Sequence, residues 1–574
     1  MNLDQWVFMP LILPLLGASL AFCSKAFLKG KPAILAEYLA AFVGIGIPFL
    51  TLAVLFAPIA NGGTIQGVVG SWKSGIAISY RFDGFSWLLD ILSLTLALAS
   101  WIYSRASAMK KGPFTAILLI QLAALAATMM TYDLFNLFVC LEVLGVTSYV
   151  MIAISEKNGS ALASFSYLMV SATAMVFFLL GTYGLYTLTG NLSYEGIAAN
   201  LQNLGTAESL TYSVSLTFIV LAIALRVAIM PLSGWLSDAH SMAPHAVSAM
   251  LSGVLLKTPL FALAKLISLL PKGQEVGLLF AYAGSLSALF GVIAALCQKD
   301  AKRLLAYHSI SQIGYVVTAW GMALYAGLET KEGKLLMVGA LLYALYHGLF
   351  KALLFLGVGT ATDYAGSRDV YAVRNANKSL RLGGERLPLT LIAFCIGAFS
   401  IAAIPPFNGF FSKALLTYSV KGTFHYYLLT LAGAGTVASF IKLSRIFWPR
   451  KKQPGITAIA VKETGKPHFP LSIHVSLLFL SLLCILTGMY AQSIYNMFAN
   501  LLGVAGKSFA FYSEANLFKT LYTVLSGIIL FFLVSSRIGS KVLGSLRKLP
   551  HYFQDHFFAF ILASTVLGSY LYFV

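Results

Sequence analysis

Residues 134–153 read LFNLFVCLEVLGVTSYVMIA, an apolar run with one charged side chain, Glu142, near its middle. About 20 mainly apolar residues make one bilayer-spanning helix, so this stretch is long enough to cross a membrane once. A charge at the bilayer centre costs roughly 2.5–3.5 kcal/mol. Alone, a carboxyl there stays protonated; beside a cation it ionises.

The rest of the chain repeats the pattern. Its 574 residues are 59% hydrophobic and 10% charged, with a mean hydropathy of +0.83, whereas a soluble domain carries about 25% charged residues. An excess this large has to face lipid. The net charge of +19 raises the question of nucleic acid. Lys and Arg, however, fall in short segments between apolar runs, which is the positive-inside pattern of membrane proteins. The expected partner is therefore the bilayer and not nucleic acid. Cys23, Cys140, Cys297, Cys395 and Cys484 are scattered, with neither a disulfide framework nor zinc spacing. No metal, flavin or nucleotide motif occurs, so no cofactor and no catalytic site are expected in this chain. The opening MNLDQWVFMP lacks the basic region of a cleavable signal peptide, so the first apolar run is expected to be retained.

Windows of spanning length fall near 4–22, 33–57, 84–103, 113–131, 133–154, 161–188, 208–230, 246–269, 275–297, 304–325, 335–359, 388–405 continuing to 420, 425–447, 471–494, 517–535 and 556–574. This predicts an all-α polytopic membrane protein of about sixteen helices. If the segments after odd-numbered spans are cytoplasmic, they hold Lys25, Lys29, Lys31, Arg105, Lys110, Lys111, Lys157, Lys299, Lys302, Arg368, Arg374, Lys378, Arg381 and Arg386. The same side holds Arg450, Lys451, Lys452, Lys462, Lys466, Arg537, Lys541, Arg547 and Lys548. The opposite side holds only Lys73, Arg81, Lys272, Lys331, Lys334, Lys421, Lys507 and Lys519. Both termini are then expected on the outer face. Between spans, residues 63–82 alternate at Ile76, Ile78 and Tyr80, which predicts an outer β-hairpin. Residues 536–553 place Ile538, Val542, Leu546, Leu549 and Phe553 at helical spacing among Arg and Lys, as in an interfacial helix touching anionic lipid or a brace against a partner subunit.

Five charges stand inside spans: Glu142, Arg226, Lys257, Lys351 and Lys413. Unpaired, they would together cost on the order of 12–17 kcal/mol, so they are expected to face one another or a hydrated interior path. Lys257, in LSGVLLKTPLFALAKL, is a buried amine able to release and recapture a proton; the alternative is a fixed ion pair. His347 and Lys351 lie four residues apart on one helix face, suited to passing a proton, unless His347 is a satisfied interhelical hydrogen bond. His240 and His245 lie near a helix junction, as proton uptake groups or as ordinary capping residues. Asp90, early in its span, is placed near the outer interface, and Lys265, near a helix end, is placed where its stem can snorkel to the headgroups.

Two helices break alike. PLSGWLS at 231–237 and PFNGFFS at 406–412 repeat Pro, Gly, an aromatic and Ser at one offset of 175 positions. Pro231 and the pair Pro405–Pro406 free backbone groups that only protein or water can satisfy inside a membrane. Paired breaks in two halves point to a transporter's central site. Arg226 stands just before the first and Lys413 just after the second.

On these residues the chain resembles the antiporter-like subunits of respiratory complex I, of Mrp-type sodium/proton antiporters and of membrane-bound hydrogenases. TYDLFNLFVCLEVLGVTSYVMIA looks closest to the Mrp D subunit. PLSGWLSDAHSMAPHAVSAMLSGVLLK, QKDAKRLLAYHSISQIGY, HGLFKALLFLGVG and IPPFNGFFSK are similar to the family's signature stretches, and together these cover roughly residues 80–450. The resemblance implies a fourteen-helix core with two inverted five-helix repeats, and interrupted seventh and twelfth helices. The division is then 1–112 for helices 1–3, 113–270 for the first repeat, 271–447 for the second, and 448–574 for the last helices. It also implies a proton pathway through Glu142, Lys257, His347, Lys351 and Lys413, with other membrane subunits as partners, H+ as the transported ion and Na+ as a second one. The alternative is an energy-coupling subunit of a redox, hydrogenase or inorganic-carbon-uptake complex whose chemistry lies in its partners. A bacterial or archaeal cytoplasmic membrane is expected.

Three departures stand out. The lysine that normally partners the glutamate is Arg226, which stays charged and can tune Glu142 but not relay a proton. Gln312 stands where a histidine is common, with His308 one turn earlier. Two helices after residue 500 exceed the usual core.

Overall fold

The computed structural model describes residues 3–69, 77–106, 113–155, 158–201, 209–449, 469–506, 508–547 and 554–573. Every predicted stretch is helical within these residues, and among them thirteen helices are long and apolar enough to cross a membrane. Phe114–Met130 and Leu389–Ile401 are apolar but shorter. The molecule is an all-α integral membrane protein. Of the cations weighed for sidedness, Lys73, Lys110, Lys111, Lys157, Arg450, Lys451, Lys452, Lys462, Lys466, Lys507 and Lys548 lie outside the described residues, as do Ile76, Leu549 and Phe553.

The predicted hairpin forms: Ile65–Val68 pairs antiparallel with Ser79–Phe82. All five cysteines are free thiols. The tightest helix pair is Gly273–Cys297 against Ala301–Tyr325, and a seam of small residues explains it. A Cβ on Gly277, Gly284 or Gly291 would stand 2.7, 2.6 or 2.5 Å from backbone of the neighbouring helix. In lipid, where water gives no hydrophobic push between helices, such close backbone approach is what holds them.

The two breaks are built alike. Ser209–Val227 ends with Ala228 at φ 59° and a cis Met230–Pro231 bond; Leu389–Ile401 is followed by Ala403 at φ 59° and a cis Pro405–Pro406 bond. The hydrogen bonds match at the same offset. Ala228 N–H donates to Leu225 O and Ile229 N–H to Ala224 O; Ala403 N–H donates to Ser400 O and Ile404 N–H to Phe399 O. These are Schellman helix ends in which alanine holds the left-handed position that glycine usually takes. Gly409 fits because a Cβ there would lie 1.8 Å from Ser400 O.

The C-terminal helices cross from one half to the other. Glu514–Ser535 packs on Phe424–Ser444, where a Cβ on Gly527 would meet Val437 at 2.5 Å. Arg537–Leu546 follows, its Ile538, Val542 and Leu546 exposed. Gln554–Phe573 then packs on Ser209–Val227, with Ser213 Oγ donating to Leu571 O at 3.1 Å. This part of the basic amphipathic segment connects the two packed helices, and Arg547 after it donates to Cys297 O.

Four positions depart from expectation. Lys265 does not snorkel: it is buried, 2.9 Å from Asp83 Oδ2, and donates to Met129 O at 2.6 Å. Asp90 is turned into the protein, 4% exposed and within electrostatic reach of Lys265. Lys302 is not a loop cation: it lies in the first turn of Ala301–Tyr325, 3% exposed, and donates to Ala243 O. Lys519 sits inside Glu514–Ser535 and faces inward over the Tyr426 ring at 4.6 Å. Position along a span sets depth and not facing, so each was misplaced by its neighbours in sequence.

Candidate functional site

The Leu134–Ala153 helix starts on Asp133, whose side chain accepts from Asn136 N–H. Two turns later Glu142 Oε1 meets Arg226 Nη2 at 3.0 Å. The guanidinium is 3% exposed, but the carboxylate side chain is 36% exposed, on an outward face with Phe135, Val139, Val143 and Val146. Glu142 is therefore half-buried, not interior as its mid-span position suggested. Arg226 Nε also points to Met175 Sδ at 3.2 Å. Gly145 leaves room for this arrangement, since a Cβ there would lie 2.7 Å from Tyr149 Oη and 3.2 Å from Arg226 Nη1. Tyr149 packs edge-on to Tyr167, which stacks on Trp235 at 4.0 Å, and Trp235 Nε1 donates to Leu225 O at 2.9 Å. The ion pair and the first helix break thus share one aromatic wedge.

Lys257 follows a π-type turn, Leu251–Leu255. Such turns leave carbonyls without their usual helical donors; here Ser252 O and Gly253 O each accept from Lys257 Nζ at 2.5 Å. The lysine is fully buried. Ser252 Oγ bonds Ser309 Oγ at 2.8 Å, tying this turn to Ala301–Tyr325. On Lys331–Ala365, Gly348 brings the neighbouring helix close, with its Cβ position 2.9 Å from Gly253 O.

Lys351 donates to Leu305 O and sits 4.7 Å from the Phe355 ring centre. Phe355 stacks on His240 at 4.7 Å. His347 is fully buried, and neither of its ring nitrogens has a hydrogen-bond partner among the described residues; the same holds for His240. Buried polar nitrogens of this kind are normally satisfied by internal water. His347 lies within electrostatic reach of Lys257, Lys351 and Lys413. His245 Nε2 pairs with Asp363 Oδ2 at 2.9 Å, where the carboxylate side chain is 56% exposed.

From His347 the polar groups continue toward the second break. His347 stacks near Tyr343, whose hydroxyl donates to Gln312 Oε1, and Tyr343 packs on Tyr315. Lys413 Nζ lies 4.9 Å over the Tyr315 ring and donates to Ile401 O at 2.7 Å, capping the broken helix. His308 instead bonds Ser439 Oγ, turning toward Phe424–Ser444. Beyond Lys413 a small cavity of about 50 Å³ is lined by Tyr315, Thr417, Asn516, Lys519 and Thr523.

Lys257, Lys351 and Lys413 have no carboxylate within ion-pair distance among the described residues, in contrast to Lys265. No described contact bridges Arg226 to Lys257. Sequence reading passed over Tyr315, Tyr343 and Lys519. The signal for Lys519 was present: Asn516, Lys519, Thr520 and Thr523 form a polar stripe at helical spacing in an apolar helix.

The comparisons agree with this architecture. NADH-quinone oxidoreductase subunit N of Desulforudis audaxviator is 29% identical over 487 residues, 79% of this chain and 93% of that one. The Na(+)/H(+) antiporter D subunit of Alkalihalophilus pseudofirmus is 27% identical over 453 residues, 78% and 86% of the two chains. Among solved structures, a chain of the Mrp complex from Dietzia superposes with a TM-score of 0.75 at 22% identity, over 91% of this chain and 100% of that one. A chain of the membrane-bound sulfane sulfur reductase, an archaeal respiratory complex, gives 0.73 at 22%, over 91% and 99%. The family model described as NADH:quinone oxidoreductase/Mrp antiporter, TM, matches residues 131–442, which take in both breaks and Glu142, Arg226, Lys257, Lys351 and Lys413. The chain belongs to that family of membrane subunits.

Proposed function

We propose that this chain is a proton-translocating, antiporter-like subunit of a multisubunit membrane complex. The observation that carries the reading is that Lys257, Lys351 and Lys413, all inside spans, donate to backbone carbonyls and have no carboxylate at ion-pair distance among the described residues. Lys265, by contrast, pairs with Asp83. An amine without a fixed counter-ion can lose and regain its proton without leaving a buried carboxylate unpaired.

In this mechanism the proton moves along Lys257, His347, Lys351 and Lys413 through intervening water, with His240 and His245 on the uptake side and Gln312 and His308 flanking. Lys519 lines the far cavity. Arg226 keeps its charge throughout, so the Glu142–Arg226 pair works as an electrostatic switch: its opening changes the field along the track. The wedge from Tyr149 to Trp235 couples that switch to the first break. The breaks at Pro231 and at Pro405–Pro406 centre two inverted repeats, 113–270 and 271–447. Residues 1–112 and 448–574 flank them. H+ is the transported ion and Na+ its exchange partner. The chain resides in a bacterial or archaeal cytoplasmic membrane with both termini outside.

Complex in proteoliposomes with an internal pH dye and varied sodium provides the test. Glu142→Ala and Lys257→Ala are each expected to abolish flux; unchanged flux with both replaced overturns the reading. The relatives named for quinone oxidoreduction favour a second reading, energy coupling to a partner's chemistry. Co-purifying iron–sulfur subunits support it, and small membrane subunits alone support exchange.

A further inference from the structure

Away from the track, three helices end around one cavity of about 280 Å³: Gly273–Cys297, Phe424–Ser444 and Glu514–Ser535. Its polar wall carries Lys299, Lys442, Arg445 and Arg547 against a single carboxylate, Asp369. Its apolar wall carries Leu296, Phe531, Val534 and Leu543. Among the described residues none of the four cations has a carboxylate within ion-pair distance, and Asp369 Oδ1 accepts from Tyr371 N–H and Ala372 N–H.

Part of this charge serves the helix ends. Lys442 Nζ donates to Leu296 O at 2.8 Å and to Gln298 O, and Arg547 donates to Cys297 O. Three helix C-termini supply about half a negative charge each. Set with Asp369 against four cations, they leave roughly one and a half positive charges uncompensated. Among the described residues Lys299 and Arg445 are the cations with no carbonyl to hold; Arg445 lies over the Phe531 ring at 4.7 Å. The adjoining Arg537–Leu546 helix exposes Ile538 (78%) and Val542 (54%), which sets this end of the bundle at the depth where headgroups meet acyl chains.

We infer that this cavity binds the headgroup of an anionic phospholipid. The phosphate sits between Lys299 and Arg445, and the acyl chains run along Phe531, Val534 and Leu543. A basic pocket between helix ends, with an apolar wall leading into the bilayer, matches such a ligand in charge and in amphipathic shape. The lipid then cements the Glu514–Ser535 helix and the Arg537–Leu546 helix to the core.

The test uses the delipidated complex in zwitterionic detergent. Phosphatidylglycerol is expected to raise the thermal midpoint, and phosphatidylcholine at equal concentration to leave it unchanged. Lys299→Gln with Arg445→Gln removes both free cations and is expected to shift half-saturation about thirtyfold upward. Lys378→Gln with Arg381→Gln, on the exposed face of another helix, is expected to leave it unshifted. An equal response to phosphatidylcholine overturns the inference, as does an unshifted double variant. A response reproduced by inorganic phosphate alone also overturns it, because the source is then a free anion. Native mass spectrometry of the unaltered complex gives an independent reading that does not depend on a variant folding. Preferential retention of phosphatidylglycerol supports the site, and equal retention of phosphatidylcholine overturns it.

Discussion

The Glu142–Arg226 pair makes an asymmetric prediction. At 3.0 Å and an effective dielectric of about 20, the gross attraction is roughly 5–6 kcal/mol. Much of this offsets the desolvation of Arg226, which is 3% exposed, while Glu142 at 36% keeps part of its solvation. Replacing Glu142 by Gln strands a guanidinium that cannot shed its charge, which costs about 3 kcal/mol, the lower end for a broken buried pair. Replacing Arg226 by Met leaves a carboxylate that is 36% exposed and keeps part of its solvation, at about 1–2 kcal/mol. The double variant is expected to cost less than Glu142→Gln alone, because neither charge remains to be desolvated. Unfolding by SDS titration in mixed micelles, run as a double-mutant cycle, measures all three. An Arg226→Met cost equal to that of Glu142→Gln, or a coupling term below about 0.5 kcal/mol, refutes this asymmetry.

Three further outcomes follow from the same structure. Lys265→Met leaves Asp83 without its cation and Met129 O without its donor, and is expected to lower stability by about 3–5 kcal/mol in the same titration. Ala228→Gly and Ala403→Gly remove the left-handed penalty and are each expected to raise stability by about 1 kcal/mol while changing ion flux, read in proteoliposomes. Lys519→Gln is expected to lower proton flux about tenfold or more with no change in assembly, and Lys378→Gln to leave it unaltered.

Much of this was legible in the sequence because cost is legible. A charge inside an apolar run has few physical excuses, so Glu142, Arg226, Lys257, Lys351 and Lys413 declared themselves, and the repeated Pro-Gly-aromatic-Ser pattern located both breaks. Facing was not legible. Lys265 and Asp90 sit at depths that allow either snorkelling or burial, and only the neighbouring Asp83 and Met129 decide for burial. Lys302 reads as a loop cation because a span boundary read from hydropathy slides by a turn wherever a buried charge interrupts it, whereas Lys519 falls inside its predicted span and only its inward facing was illegible. The π-type turn that frees carbonyls for Lys257 has no sequence mark that hydrophobic periodicity detects, since the same residues make an ordinary helix equally well. Nor could Glu142's half-exposure be read, because it depends on which neighbouring helices are absent from one side.

The paired alanines at φ 59° have a consequence for how the gene can drift. Any alanine codon becomes a glycine codon by one base change, so an unstrained backbone lies a single mutation away at both positions. A lineage under pressure only to fold would find that exit readily. Two copies of the same avoidable tension, set in two halves of one polypeptide, make residues 228 and 403 the places where replacement by glycine should separate a sturdier protein from a working one.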